Sequence, residues 1–291
     1  MWGVSTLVFA VTHIIPGDPV DIMLGETARP AQREELRRAL GLDRPVIIQY
    51  SEYLKGLLMG DLGVSLHQKR SVLRALLERA PASAELALAS LAVALAISLP
   101  LGIFAARRAG SVADLVAGAL AVLGASLPVF WLGPVLIIFF SIGLGWFPVS
   151  GRGGPLSLVL PSLTLGLALA SILMRMTRAT LLEVLSQDYL ATARSKGVPE
   201  RRVLWIHALR NSCISLITIL GLQLGALLSG AIITETVFAW PGIGRLTIQA
   251  IFSRDYPLVQ GCILFISMVY VAANLITDLA YAWLDPRVRL G

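Results

Sequence analysis

Charge is scarce in this sequence. Charged residues make up 14% of the 291 and hydrophobic residues 56%, whereas a soluble domain carries about 25% charged residues. That balance excludes an ordinary water-soluble domain and places the chain in a bilayer. The net charge of +6 does not point to nucleic acid, because many of the basic residues lie in short loops beside apolar runs. Cysteine is nearly absent too. Cys213 opens one apolar run and Cys262 lies near the far end of the next. A span's length apart, they cannot reach the ~5.5 Å Cα separation of a disulfide, and both read as small buried hydrophobes.

Catalytic signatures are also missing. The chain has no Gly-x-x-x-x-Gly-Lys-Ser/Thr, so it cradles no nucleotide phosphate. Neither the metalloprotease His-Glu-x-x-His nor the nucleophile-elbow Gly-x-Ser-x-Gly pattern occurs. His13, His67 and His207 are the only histidines and stand far apart in sequence, so no metal site is expected from them. An intramembrane enzyme would need a nucleophile–base or metal set that this chain does not supply.

What is present is a series of six apolar runs, at about 1–15, 84–106, 115–145, 157–176, 213–234 and 258–283. A spanning helix needs ~20 apolar residues, and all but the first reach that length. The first has fifteen residues before Pro16, or ~22 Å at 1.5 Å per residue. It has no basic leading region and makes a poor signal peptide, so the native span is expected to begin upstream.

Short-loop Lys and Arg set the expected orientation. Arg107, Arg108, Arg175, Arg178, Arg194, Lys196, Arg201, Arg202, Arg210, Arg287 and Arg289 fall on one side, against Arg152, Arg245 and Arg254 on the other. The richer side is read as cytoplasmic, with both termini inside and segment 16–83 outside. The expected organisation is a first span at 1–15, an extracytoplasmic helical segment at 16–83, a transmembrane core at 84–284 with a cytoplasmic loop at 177–212, and a cytoplasmic tail at 285–291. Within 16–83 the pattern predicts helices over Pro30 to Leu40, about 46–59 and about 71–80, after a turn at Pro16-Gly17-Asp18-Pro19. This segment is either a lid on the spans or a docking surface for an extracytoplasmic binding protein.

Inside the spans, Pro128 in Ser126-Leu127-Pro128-Val129-Phe130-Trp131 predicts a kink. It is either a bend beside a translocation path or a tolerated packing kink. Small residues recur every four positions at Ser162, Gly166 and Ala170 and at Gly221, Gly225 and Ser229. Such stripes allow close helix approach, although they also leave room for a path. Gln223 is the deepest polar group of the last two spans, while Glu235, Asn274 and Asp278 lie nearer the ends. Ser126, Pro128, Gln223, Gly225 and Ser229 are the candidate path residues.

The most informative stretch is 188–211, a basic amphipathic segment between two apolar runs. Arg194 and Lys196 suit the last turn of a helix. Gly197 suits a left-handed stop, Pro199 the first position of a new helix, and Glu200 its first turn. Asp188-Tyr189, Thr192-Ala193-Arg194, Lys196-Gly197, Arg201-Arg202-Val203 and His207-Ala208-Leu209-Arg210-Asn211 together resemble the EAA loop of ABC-transporter permeases. The resemblance is closer to the dipeptide/oligopeptide and nickel importer permeases, and it extends from Pro16-Gly17-Asp18-Pro19 through Gly60-Asp61-Leu62-Gly63 and Glu235–Leu246 to Leu284-Asp285-Pro286-Arg287. One departure is Ser215, where the family usually carries Pro; the helix entering the fifth span is expected to be straighter.

The resemblance implies an all-α membrane protein of six transmembrane helices in the type I importer permease (MetI-like) fold. It implies a non-catalytic subunit of a prokaryotic inner-membrane importer for di- or oligopeptides, with nickel or another small solute as the alternative cargo. Implied partners are a second homologous permease, two ATPase subunits and an extracytoplasmic substrate-binding protein. ATP and magnesium would act on the ATPase subunits, with no cofactor on this chain. Asp188, Ala191, Ala193, Arg194, Lys196, Gly197, Glu200, Arg201, Val203, His207 and Arg210 would form the ATPase-coupling loop. A secondary transporter is the rival class; it would require deep ionisable residues or an inverted repeat, and the sequence offers little of either.

Overall fold

A computed structural model describes residues 2–14, 20, 24, 29–39 and 41–284. The helices are α1 (Trp2–Ile14), α2 (Pro30–Ala39), α3 (Val46–Leu58), α4 (Val72–Arg107), α5 (Val112–Ser126) and α6 (Val129–Leu136), which continues as a π-helical turn, Ile137–Gly143. After α7 (Pro155–Leu185) and α8 (Asp188–Ser195) comes α9 (Glu200–Arg202), which continues through a second π-helical turn, Val203–Ala208, into α10 (Leu209–Val237). The last two are α11 (Ile243–Phe252) and α12 (Tyr256–Leu284). The expected turn at 16–19 and tail at 285–291 lie outside the described residues.

Glycines end α2 and α3 as the pattern predicts. Gly41 takes φ +67° and Gly60 φ +75°. In each case the amide one residue on donates back to a carbonyl of the last turn, Leu42 to Arg37 and Asp61 to Gly56, which satisfies carbonyls the helix leaves open. The expected third helix at about 71–80 is not a separate element. Those residues are the first turns of α4, which runs 36 residues straight past Pro81. Val72, Ala75 and Leu76 are fully buried there against Leu246, Leu258 and Cys262. Burial of one such large side chain contributes ~1.5–3 kcal/mol, more than the ~0.5–1.5 kcal/mol of the hydrogen bond that Pro81 forfeits.

The third apolar run also differs from expectation. It is not one kinked helix but a pair, α5 and α6 with its π-helical turn, bent by 100°. Proline pushes the preceding residue out of the helical region, and Leu127 is extended at φ −81°, ψ 116°. Pro128 is extended as well and caps the start of α6, so two successive residues refuse the helix.

The chain divides into two compact units, residues 1–84 with 241–269 and residues 85–240 with 270–291. In the first, Asp255 is fully buried and acts as the anchor of loop 63–72. One carboxylate oxygen accepts from Ser65 Oγ and the amide of His67, and the other from the amides of Leu66 and Leu258. In the second, α7 is the central helix and packs against α10, α5 and α6. The predicted small-residue face is a packing face. A Cβ at Gly166 would come within 2.8 Å of the Ser90 carbonyl and Val93 on α4, and one at Gly102 within 2.6 Å of Thr177 on α7. By length and hydropathy α4, α7 and the stretch Tyr256–Leu279 of α12 can each cross a membrane, and the bent pair makes a fourth if it is one span.

Candidate functional site

The stretch 188–211 folds as two helical segments around a sharp stop. Gln187 precedes α8 in extended conformation, and the Thr192 hydroxyl donates back to the Asp188 carbonyl. Gly197 takes φ +78°. Its amide donates to the Arg194 carbonyl at 2.9 Å and that of Val198 to the Ala193 carbonyl at 3.2 Å, the paired bonds of a left-handed helix stop. Pro199, expected as the first helical residue, stands one position earlier. It is the extended N-cap at ψ 141°, and Glu200 is the first helical residue. Its fixed φ still suits the entry, and an acid at that position complements the helix dipole.

An ion pair spans the stop. Arg194 Nε and Nη2 donate to the two oxygens of Glu200, both at 3.1 Å. This fork holds the Glu200 carboxyl below the usual carboxylate range, and the charge of Arg107 acts in the same direction. It also raises Arg194 above its ordinary value. A second tie runs from α8 to the start of α10. The Tyr189 hydroxyl donates to the His207 carbonyl at 3.4 Å and accepts from Asn211 Nδ2 at 2.6 Å.

Underneath lies an apolar base. Leu190, Val203, Leu204 and Ala208 cluster with Leu181 of α7 and with Ile103 and Ala106 of α4. Val198 packs against the cluster, so the residue after the stop is itself pinned. Val203, expected among the coupling residues, is fully buried. It therefore offers no contact surface and serves to seat the segment. The offered surface consists of Asp188, Ala191, Arg194, Lys196, Gly197, Glu200, Arg201 and Arg210, all exposed, with Ala193 and His207 half-buried.

The candidate path residues are not drawn into one cavity. Ser126 and Pro128 are exposed at the break, and the Ser126 hydroxyl donates to the Val122 carbonyl. An apolar groove of about 550 Å³ beside that break is lined instead by Gly124, Leu127, Leu132 and Ser171 among others. Gln223 and Gly225 are half-buried on α10. A Cβ at Gly225 would meet the Tyr270 ring at 3.0 Å, so helix packing fills that space. The side chains of Ser229 and Cys213 lie outside the described residues.

One pair escaped the sequence reading. Arg178 on α7 donates through Nε and Nη2 to the two oxygens of Asp114 at the start of α5. Asp114 is buried, accepts from the Gly110 amide and donates its own amide to Ser111 Oγ. Only the capping pattern Ser111-x-x-Asp114 is legible in the sequence; a partner 64 residues away leaves no local signal. Among the described residues no group of three or more His, Cys, Asp or Glu could hold a metal ion.

Comparison with known proteins agrees with this architecture. Over 72% of this chain and 96% of the other, the fold superposes on a solved inward-facing structure of the MetNI methionine ABC transporter with a TM-score of 0.63 at 17% identity. The dipeptide transport system permease protein DppB of Escherichia coli (strain K12) is 40% identical over 319 residues, covering 99% of this chain and 94% of that protein. The di/tripeptide transport system permease protein DppB of Pseudomonas aeruginosa (strain UCBPP-PA14) is 41% identical with the same coverage. A putative peptide transport system permease protein of Brucella abortus (strain 2308) is 42% identical over 98% of this chain and 94% of its own length. Residues 1–87 match the amino-terminal part of binding-protein-dependent transport system membrane components. Residues 98–290 match the inner membrane component itself, and the chain belongs to that family, the inner membrane components of binding-protein-dependent transport systems.

Proposed function

We propose that this chain forms half of the translocation path of an ATP-driven importer of di- and oligopeptides, and that residues 188–211 are where ATPase movement enters it. The observation that carries the coupling role is the construction of that loop: an exposed, largely basic surface on a fully packed base. Leu181 ties the base to α7, and the turn Val203–Ala208 runs directly into α10. A push on α8 or α9 is therefore delivered to two long helices at once rather than absorbed by a slack loop. The peptide cargo follows from the relatives, whose names specify dipeptides and di/tripeptides.

In this reading the six spans are α1, α4, the bent pair α5–α6, α7, α10 and α12. The 29 residues of α10 reach ~43 Å at 1.5 Å per residue, ample for a bilayer. Residues 16–83 lie outside and both termini inside. A second homologous permease completes the path, two ATPase subunits bind the loops, and an extracytoplasmic binding protein delivers cargo. ATP and magnesium act on the ATPase subunits, and this chain itself is non-catalytic.

The test is uptake of a labelled dipeptide by proteoliposomes containing the complete transporter. Dipeptide uptake that depends on ATP and the binding protein is expected; uptake of a Ni(II) chelate but no peptide would refute the cargo. Orientation is tested separately with single cysteines at Glu200 and Glu52 in a chain lacking Cys213 and Cys262. An impermeant thiol reagent applied to intact cells should label the Glu52 site, and labelling only the Glu200 site would invert the topology.

A further inference from the structure

Beside the loop, one feature of the second unit is not used by coupling. A cavity of about 610 Å³ opens between the end of α4 and the segment leading into α10. Its composition changes along its length. Leu99, Pro100 and Ile103 line the part deeper in the span, Arg107 and Arg108 stand at the helix end, and Trp205 forms a wall. Trp205 also borders a second cavity, of about 400 Å³, lined by Arg201 and Arg202. The half-exposed indole of Trp205 therefore stands between two cavities, each bordered by two arginines.

These charges are not already neutralised. None of the four arginines forms an ion pair with a described residue. Glu200, whose carboxyl feels the charge of Arg107, is itself held by the two-pronged bond from Arg194. Arg108 rests over the Phe104 ring, 4.8 Å from its centroid, which orders its side chain without cancelling its charge. An apolar trough that ends in unpaired guanidiniums and a tryptophan has the polarity gradient of a phospholipid, with acyl chain along the trough and anionic headgroup at its mouth.

We propose that the groove between the end of α4 and Trp205 is a binding site for an anionic phospholipid. Its phosphate would lie beside Arg107 and Arg108, and one acyl chain would run along Leu99 and Ile103. The occupant would sit against the outer side of the base that seats the loop, since Ile103 belongs to both. The site does not depend on which way the chain crosses the bilayer.

The test is native mass spectrometry of the full chain in detergent, titrated with dioleoyl phosphatidylglycerol or dioleoyl phosphatidylcholine. Phosphatidylglycerol should bind more tightly. Arg107→Gln with Arg108→Gln should weaken it on the order of 10- to 30-fold, the effect of removing two basic residues beside an anionic headgroup. Arg37→Gln with Arg38→Gln removes the same charge from α2 and should leave binding unchanged. Equal affinity for the two lipids, or an equal loss from both pairs of substitutions, would overturn the proposal. If the α4 variant does not fold, brominated lipids decide the matter in the otherwise native chain. The fluorescence quenching that disappears in Trp205→Phe should be larger with brominated phosphatidylglycerol than with brominated phosphatidylcholine. No difference would refute the site, as would displacement of the lipid from Trp205 by added ATPase subunits, which would make the groove a protein interface.

Discussion

Gly197 offers the sharpest test of the proposed coupling role, because its environment separates backbone strain from crowding. A Cβ placed there would meet nothing within 4 Å, so a Cβ is not crowded. The only demand is the backbone angle, φ +78°. An ordinary L-residue pays ~1–2 kcal/mol in the left-handed region, Asn less, and a β-branched residue is a true outlier there. Gly197→Val should cost that amount if the turn persists. If the turn instead flips, the bonds from Gly197 to Arg194 and from Val198 to Ala193 are lost, at ~0.5–1.5 kcal/mol each. Either route removes ~1–3 kcal/mol from the local fold, while the long apolar helices are untouched.

The expected order of activity is therefore wild type, then Asn, then Ala, then Val at position 197. The assay is peptide uptake together with transport-stimulated ATP hydrolysis in the reconstituted complex, at matched expression. A 1–2 kcal/mol penalty shifts a local equilibrium by a factor of ~5–30, so Gly197→Val should lose most uptake and stimulation while membrane insertion stays normal. Uptake by Gly197→Val equal to wild type would remove the coupling role. Equal loss in all three variants would show that chain flexibility matters rather than the left-handed turn.

Other expectations follow from the same geometry. Leu190→Ala empties the base of the loop and should destabilise it by ~2–5 kcal/mol, read as faster hydrogen exchange over 188–208. Glu200 has a lowered pKa from its bond with Arg194, so its stabilisation is present above the unfolded carboxylate pKa and lost as pH falls through the folded value. Exchange protection of the loop should therefore drop on the acid side, and Arg194→Gln should weaken that pH dependence, leaving only the smaller contribution of Arg107. Asp255→Ala strands the Ser65 hydroxyl and three amides; with bonds to a charged group worth ~1.5–3 kcal/mol each, thermal stability should fall more than for Asp255→Asn, which keeps one acceptor oxygen. Gly166→Val forces a side chain against the Ser90 carbonyl and should cost ~1–3 kcal/mol by overpacking, read as a lower midpoint of thermal unfolding.

What the sequence discloses depends on the range of the interaction. A stop made by one residue type was legible at Gly197, which takes positive φ where the left-handed stop was expected; Gly41 and Gly60 take it just past the expected ends of their helices. Prolines were read less well, because their effect depends on packing. Pro81 passes unnoticed inside α4 since Val72, Ala75 and Leu76 are buried beside it. Pro128 does more than kink its span, because Leu127 joins it in extended conformation. The spacing of Ser162, Gly166 and Ala170 identified a packing face, but not that α4 is the helix Gly166 meets. The bonds of Asp114 to Arg178 and of Asp255 to Ser65 had no local signal at all, since their partners are 64 and 190 residues away.

Within the loop the same distinction separates surface from seat. Arg201, Lys196 and Arg210 are exposed and carry charge outward, and changing them alters what a partner meets. Leu190, Val203, Leu204 and Ala208 are buried, and changing them alters the angle at which that surface is held. A motif match lists both kinds together, as the expectation for Val203 did. The two are separable because a surface defect is additive with changes on the partner's contacting face only when the residues do not touch, whereas a seating defect is independent of the partner. A charge reversal at Arg201 should thus be rescued by a compensating reversal on the ATPase subunit, and Val203→Ala by none. Rescue of Val203→Ala by a partner substitution that leaves the loop's exchange protection unchanged would contradict the assignment of Val203 to the seat.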